Sequence, residues 1–265
     1  MLEALEGTTF ENRPYRVCAE KVAEFVDVTG DDPKRWTDVA PPGFAAALLF
    51  VVAPELLEDP RVRGGVVHGD QTFAWHSPLR VETQLFVTGT VERVRTRGET
   101  AFVVFALQAT DEEGPVVEGR STFLVGPTGE PMAEVTEPSP EDRAESATVS
   151  GELPSPRSAS RHDLVRYAAA TRDWNPIHWD HASAVAAGLG GVVVHGLLQS
   201  AWLTAVAATV GTGDRPLRAA RFRYTAPLRP GRAAVVEGEI DGKSADLRLR
   251  EGDVTTVTGR FEVAT

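Results

Sequence analysis

The sequence predicts an α+β fold with two antiparallel sheets, each wrapped around a central apolar helix. The chain contains two similar segments in tandem. Each segment includes an apolar stretch without a charged residue, which is typical of a helix buried nearly all round. Each stretch is followed by a run of strand-like segments, and this order favours the α+β class over alternating strands and helices.

The tandem repeat is visible in two pairs of matching motifs. Residues 73–80 (FAWHSPLR) match residues 222–229 (FRYTAPLR) at an offset of 149 residues (222 minus 73). Residues 25–31 match residues 167–173 at an offset of 142 (167 minus 25). Because both matches occur in the same order along the chain, they indicate a duplication.

The segment between the two copies differs in composition. It holds prolines at positions 127, 131, 138, 140, 154 and 156, with little apolar periodicity, as is typical of a linker. We therefore divide the chain into an N-terminal unit at 1–127, a linker at 128–157 and a C-terminal unit at 158–265. Each unit is near the usual size of a small domain.

Each copy shows the same order of elements. A short helix and an irregular loop precede the apolar helix, and alternating or β-branched segments follow it. The predicted helices are 19–28 and 44–52 in the first copy, and 161–170 and 197–210 in the second. The predicted strands are 84–94, 100–110 and 116–125 in the first copy, and lie within 219–262 in the second.

Composition and charge limit the classes of function. Of the 265 residues, 42% are hydrophobic and 25% are charged, as in folded globular proteins, and no apolar run suits a membrane span. A formal charge of −11 repels a nucleic acid backbone, so nucleic acid is not an expected partner. The N-terminus lacks a secretory pattern and Cys18 has no cysteine partner, so we expect a cytoplasmic protein.

The residues that suggest chemistry lie in the second copy. Asp173 and His178 flank an Asn175-Pro176 turn, where proline bends the chain so that both side chains can face one site. A carboxylate accepts hydrogen bonds, and an imidazole donates and accepts them, so the pair can orient a water molecule and exchange its protons. This pattern indicates general acid–base catalysis without a cofactor.

A second element follows where the apolar helix begins, at His195-Gly196-Leu197. The first N–H groups of a helix have no intrahelical acceptor, and a glycine there lets a carbonyl approach closely. The Gly196 N–H is therefore a candidate oxyanion donor, and such a donor typically contributes about 3–4 kcal/mol to transition-state stabilisation. For His195, a role in shaping the carbonyl site and simple packing both stay open.

The motif Tyr-x-x-x-Thr-x-Asp-x-Asn-Pro-Ile-His at 167–178, with Val-His-Gly-Leu at 194–197, resembles MaoC-like (R)-specific enoyl-thioester hydratases and dehydratases, which have the hotdog fold. The two-copy layout is similar to double-hotdog members of that family, in which one half is catalytic. The resemblance implies that Asp173 and His178 hold the water. It also implies substrate binding by Asn175, His195, Gly196 and Leu197.

The sequence departs from the family motif at Arg172, which replaces the glycine usual before the aspartate. An arginine there would either lower the pKa of the Asp173 carboxyl or point outward to solvent. It also raises the question of whether the position needs a positive φ, which favours glycine.

The first copy keeps Asp31 but has Trp36 at the position of His178. Because no imidazole is available there, we expect this half to be catalytically silent. Its loop from Trp36 to Pro42 is also much shorter than the corresponding segment of the second copy. By resemblance, the first half makes room for the acyl chain.

The leading hypothesis is a hydro-lyase that interconverts trans-2-enoyl and (R)-3-hydroxyacyl thioesters of CoA or acyl carrier protein. Hydrolysis of an acyl thioester on the same fold, and a non-catalytic acyl-binding double hotdog, are the alternatives. The expected partner is the thioester. The two copies could pair within the chain, and whether the chain also forms a homodimer stays open. No cofactor is expected, and no metal, because adjacent turn positions such as His178, Asp180 and His181 rarely converge on one ion.

Overall fold

Each half of the chain places helices before a run of strands, so the predicted α+β class is confirmed. A computed structural model describes residues 1–62, 65–127, 130–135 and 155–264. The N-terminal half contains β1 (Thr9–Arg16), α1 (Ala19–Thr29), α2 (Ala45–Leu57), β2 (Val66–Trp75), β3 (Gln84–Arg97), β4 (Thr100–Thr110) and β5 (Pro115–Val125). The C-terminal half contains β6 (Ser155–Arg157), α3 (Arg161–Thr171), α4 (His181–Ala186), α5 (Gly196–Ala208), β7 (Leu217–Tyr224), β8 (Ala234–Ile240), β9 (Ser244–Glu251) and β10 (Val254–Val263).

The described strands form one antiparallel sheet in the order β1-β3-β4-β5-β2-β7-β10-β9-β8-β6. The two sheets expected from the sequence are therefore joined edge to edge through β2 and β7. Within this joint Thr72 pairs with Arg221, and these two positions are separated by 149 residues (221 minus 72), the offset of the sequence repeat. The joint thus lies on the pseudo-twofold axis that relates the two copies.

The apolar helices α2 and α5 pack on the sheet and form the centre of each half. Every residue of α5 after Gly196 is buried, as the absence of charged residues predicted. Helix α5 packs against β7, β9 and β10, and α2 packs against β1, β3 and β4. Fully burying one large side chain of such a helix, for example Trp202, stabilises the fold by about 1.5–3 kcal/mol.

The shorter helices α1 and α3 pack against each other across the pseudo-twofold axis. The rings of Phe25 and Tyr167 lie 5.8 Å apart between centroids. These residues occupy matching positions in the two copies, so the contact preserves the symmetry of the duplication. It also brings the loops that follow both helices to the same side of the sheet.

Most of the linker expected at 128–157 lies outside the described residues. Residues 155–157, which we placed in the linker, instead form strand β6 and pair with β8, so the C-terminal sheet begins earlier than the sequence indicated. Residues 130–135 lie alongside the loop that precedes α5, and the Met132 N–H donates to the Gly188 carbonyl of this loop at 2.9 Å. In the part of the chain that the structure describes, no helix has the length and apolarity needed to cross a membrane.

Candidate active site

Helix α3 ends directly before the first candidate catalytic residue. Arg172 is the C-cap residue with φ 68°, and its N–H donates to the Ala168 carbonyl. The corresponding residue of the first copy, Gly30, has φ 66°. The position therefore does require a left-handed backbone, which costs a non-glycine residue about 1–2 kcal/mol. This turn directs the following residue, Asp173, into the interior, where it is 5% exposed.

The Arg172 side chain points outward, which decides between the two orientations that the sequence left open. Its guanidinium lies 5.7 Å from the centroid of the Tyr15 ring. The pKa of Asp173 is not lowered by this arginine; burial raises it to about 7, against a smaller opposing effect of the Asn175 backbone N–H. At neutral pH the Asp173 carboxyl is thus present in both its acid and its ionised form.

The Asn175-Pro176 turn joins the candidate catalytic loop, residues 172–178, to the other half of the molecule. Residues Pro176–His178 form a single turn of 3₁₀ helix, and the Asn175 side-chain oxygen accepts a hydrogen bond from the Ile177 N–H at 3.4 Å. The Asn175 amide nitrogen donates to the Val66 carbonyl at 3.0 Å, on strand β2. Asn175 therefore supports the turn and also anchors it to the N-terminal half.

His178 is held in one tautomer. Its Nδ1 lies 2.8 Å from the Val193 carbonyl oxygen, and a carbonyl can only accept, so Nδ1 carries the hydrogen and Nε2 keeps a lone pair. Burial lowers the pKa of His178 to about 4, against a smaller raising effect of the Val193 hydrogen bond. The imidazole is therefore neutral at pH 7 and can accept a proton at Nε2.

His195 lies behind the pair and does not line the cavity that the pair faces. Its ring stacks on His178 with centroids 3.7 Å apart, and its Nε2 donates to the Asp173 backbone carbonyl at 3.2 Å. The ring is completely buried, and burial lowers its pKa well below the ordinary value. His195 therefore contacts both members of the pair from behind, which favours the packing role that the sequence left open over the substrate binding that the resemblance implied.

Gly196 and Leu197 line the cavity at the start of α5. The expected reason for the glycine was close approach of a carbonyl, and the structure adds a second reason. A Cβ at position 196 would lie 2.9 Å from the Tyr224 ring, so only glycine lets this ring pack against the helix start. The Tyr224 hydroxyl and the Ser200 hydroxyl are hydrogen-bonded at 2.9 Å, which fixes the ring.

The cavity has a volume of about 340 Å³ and is bounded by both halves. The second copy contributes Asp173, Asn175 and His178, together with the helix start. The first copy contributes mainly apolar side chains: Phe50, Leu57, Val66, Val67, Phe123 and Leu124. A second cavity of about 580 Å³ also has Asp173 and Asn175 in its wall.

Four residues of the cavity wall were missed by sequence reasoning: His68 and Tyr224 on the joint strands, and Glu130 and Met132 in the linker. His68 lies in the copy without the pair. The only indication in the sequence is that His68 lies just before the repeated motif that ends in Pro-Leu-Arg. Its strand, β2, pairs with β7 of the other half.

The loop of the first copy that matches the catalytic loop has a different environment. Trp36 occupies the position of His178 and is buried, while burial raises the pKa of Asp31. Arg35 donates hydrogen bonds to the carbonyls of Ala208 at 2.8 Å and Gly211 at 3.3 Å, at the end of α5. This loop therefore caps the helix whose other end forms the candidate active site.

Asp173, His178 and His195 offer ligand atoms that lie within 4.8 Å of one another. Their geometry does not fit a metal ion. An imidazole directs its lone pair in the plane of its ring, and the two rings are stacked with planes only 25° apart. The two planes do not meet within the 2.0–2.1 Å that is typical of a zinc–nitrogen bond, so both rings cannot bind the same ion.

Comparisons with known proteins agree with this architecture. The MaoC-like domain model matches residues 141–261, and the model of the FAS1-like dehydratase domain region matches residues 4–119. A UPF0336 protein of Streptomyces avermitilis is 33% identical over 132 residues, which are 44% of this chain and 88% of that protein. The peroxisomal multifunctional enzyme type 2 of Drosophila melanogaster is 28% identical over 194 residues, 69% of this chain and 31% of the enzyme.

A solved structure, HtdX of Mycobacterium tuberculosis, superposes with a TM-score of 0.76 at 19% identity, covering 96% of this chain and 99% of that one. This similarity extends over both halves and the joint between them, so the double-hotdog fold implied by the motif is confirmed. The chain therefore belongs to the MaoC-like dehydratase family.

Proposed function

We propose that the chain reversibly hydrates trans-2-enoyl thioesters to (R)-3-hydroxyacyl thioesters. The observation that supports this most strongly is the pairing of two buried groups on one cavity wall. The pKa of Asp173 is raised to about 7 and that of His178 is lowered to about 4, so an acid and a base coexist at neutral pH. They adjoin the start of an apolar helix, where N–H groups can bind an oxyanion.

In the hydration direction, the lone pair of His178 Nε2 takes a proton from water as the water oxygen bonds to C3. The electron pair of the C2–C3 double bond moves towards the thioester, and the Gly196 N–H stabilises the resulting oxyanion. The acid form of Asp173 then gives its proton to C2. Transfer of the proton from His178 to Asp173 restores the initial state, and dehydration follows the same steps in reverse.

The apolar wall supplied by the N-terminal half is suited to an acyl chain. The loop of this half that matches the candidate catalytic loop has Trp36 in place of His178 and so lacks an imidazole. We propose that one active site operates per chain and that the carrier is CoA or acyl carrier protein. No cofactor takes part in the proposed steps. The single cysteine still favours the cytoplasm, and the edges of the sheet offer a route to a homodimer.

The test is loss of the enoyl absorbance of crotonyl-CoA and longer trans-2-enoyl-CoA thioesters, with Asp173→Asn and His178→Ala compared with the wild type. Each variant should lose at least about 10²-fold in kcat, the scale of acid–base catalysis. Asp31→Asn is the matched control, because it alters the equivalent carboxyl of the other half, and it should keep wild-type kcat.

Wild-type hydration by folded Asp173→Asn and His178→Ala would exclude this mechanism. Release of free thiol from a saturated acyl-CoA would indicate hydrolysis instead. Tight binding of acyl-CoA without any turnover would indicate an acyl-binding protein.

A further inference from the structure

The joint strand β2 brings a polar side chain of the N-terminal half to the active-site cavity. His68 lines this cavity together with Gly69. Strand β2 pairs regularly with β5 except between His68 and Asp70, where the register shifts. Strict alternation from the buried Gln71 would turn Gly69 inward and His68 outward. The bulge reverses this order and directs His68 towards the interior.

Gly69 is the residue at this register shift, and it packs closely against β5. A Cβ at this position would lie 2.4 Å from the Leu124 side chain and 3.4 Å from the Thr122 carbonyl oxygen. A larger residue would therefore require the Leu124 side chain to move. The chain thus contains a specific local device that places His68 at the cavity wall.

The His68 ring is fixed by aromatic contacts on both sides. Its centroid lies 5.0 Å from that of Phe123 and 5.1 Å from that of Tyr224. Burial lowers the pKa of His68 to about 4, against smaller raising effects of hydrogen bonds to the Gln71 side chain and the Asp70 backbone. The imidazole is therefore neutral at pH 7.

Nε2 of His68 is buried and has no hydrogen-bond partner among the described residues. The contacts with the Gln71 side chain and the Asp70 backbone raise the pKa of His68, so they favour a hydrogen on the ring nitrogen that faces them. Because Nε2 has no protein partner, that nitrogen is Nδ1, and Nε2 is left as an acceptor. Leaving a buried acceptor unpaired is unfavourable, and the walls that the N-terminal half adds around it are apolar. A bound molecule with a hydrogen-bond donor would satisfy this atom.

The tautomer of His68 is the same as that of His178, which also uses Nδ1 for the protein and keeps a lone pair at Nε2. His178 is close enough to lower the pKa of His68. A water molecule has two hydrogens, and the proposed function moves only one of them, to His178. The other hydrogen stays on the oxygen through the reaction and needs an acceptor.

We propose that His68 Nε2 accepts this second hydrogen, first from the attacking water and then from the 3-hydroxyl of the product. No proton is transferred to His68; it holds the oxygen between the two halves and so selects ligands that carry a hydroxyl at C3. This inference rests on the proposed function. It makes the N-terminal half a participant in recognition of the reacting oxygen, beyond providing space for the acyl chain.

The test uses His68→Phe, which keeps an aromatic ring but removes the acceptor, and His68→Gln, whose side-chain oxygen can replace Nε2. Affinities of (R)-3-hydroxyacyl-CoA and of the saturated acyl-CoA of equal length are measured by calorimetry in an Asp173→Asn background, where no turnover interferes. His68→Phe should weaken binding of the hydroxyacyl ligand about tenfold, the scale of one hydrogen bond, and leave the saturated ligand unchanged. His68→Gln should recover most of the loss.

The same variants with Asp173 intact should lose about tenfold in kcat/KM for enoyl-CoA hydration, with partial recovery in His68→Gln. If hydration depends on Asp173 and His178 but His68→Phe keeps the preference for the hydroxyacyl ligand, the role of His68 is refuted and the proposed function stands. Equal losses for both ligands would also refute it, because the contact would then involve the carrier or the fold. If no hydration that depends on Asp173 and His178 is detected, both the role of His68 and the proposed function are refuted.

Discussion

The left-handed turn at Arg172 allows a direct test of how the catalytic loop is built. Arg172 has φ 68° where the first copy has Gly30 at φ 66°. We expect Arg172→Gly to be more stable than Arg172→Ala. Both variants lose the guanidinium contact with the Tyr15 ring, so the difference between them reports the backbone alone.

The size of this difference follows from two opposing effects. A left-handed conformation costs alanine about 1–2 kcal/mol. Glycine loses about 0.5–1 kcal/mol more backbone entropy on folding. The balance favours glycine at position 172 by about 0.5–1 kcal/mol, which corresponds to a melting temperature about 1–4 °C higher for a chain of this size.

The control is the same pair of substitutions at Val165, which is 43% exposed within helix α3. In an exposed helix, glycine is less stable than alanine by about 1 kcal/mol. Urea unfolding of the four variants should therefore give opposite orders at the two positions. Alanine as stable as glycine at position 172, or more so, would refute the strain argument.

Three further predictions follow from the site. The ratio kcat/KM for an enoyl thioester should rise through about pH 4, as His178 becomes neutral, and fall through about pH 7, as Asp173 ionises; a flat profile over this range would contradict the assigned roles. Because the Asp173 pKa is raised above its ordinary 3.8, the folded wild-type protein loses stability as pH rises from about 4 to 7. Asp173→Asn should therefore be more resistant to urea than the wild type at pH 8 and should lose that advantage by pH 4. In Gly190→Ala the new Cβ would lie 2.3 Å from the Ala133 carbonyl oxygen, so this variant should displace residues 130–135 and raise KM several-fold. The control is Gly242→Ala, which has a similarly positive φ of 85° but open space around it and should lower stability alone. Equal KM values for the two variants would refute the role of residues 130–135 in the cavity wall.

Local patterns in the sequence were sufficient for the elements and for the proximity of Asp173 and His178. The charge-free stretch at 197–210 predicted burial of α5, and the helix is indeed buried from Leu197 to Ala208. Asp173 and His178 were identified because the turn between them is short, so their proximity follows from a few bonds of chain. The contrast with Trp36 assigned the chemistry to one half, and that assignment stays a prediction.

Contacts between distant segments could not be predicted in this way. The hydrogen bond from Asn175 to the Val66 carbonyl joins residues in different copies, and neither residue has a local feature that indicates the other. His68 reaches the cavity because of a bulge at Gly69, and one extra residue in a strand reverses the direction that alternation predicts. For His195 the sequence left packing and a role at the carbonyl site open, and only the structure shows that its ring packs behind His178.

The fusion of the two copies explains how the matching loops acquired different roles. In a symmetric homodimer, a change in one loop is repeated in the other, so loss of an imidazole would remove both active sites. Within one chain the loops can diverge: Arg35 of the first copy binds the carbonyls at the end of α5, while the catalytic loop lies at its start. Both ends of one buried helix are therefore held by equivalent loops, one of which supplies stability and the other, on our proposal, the chemistry. Selection could improve the cap at Arg35 without disturbing the geometry at Asp173.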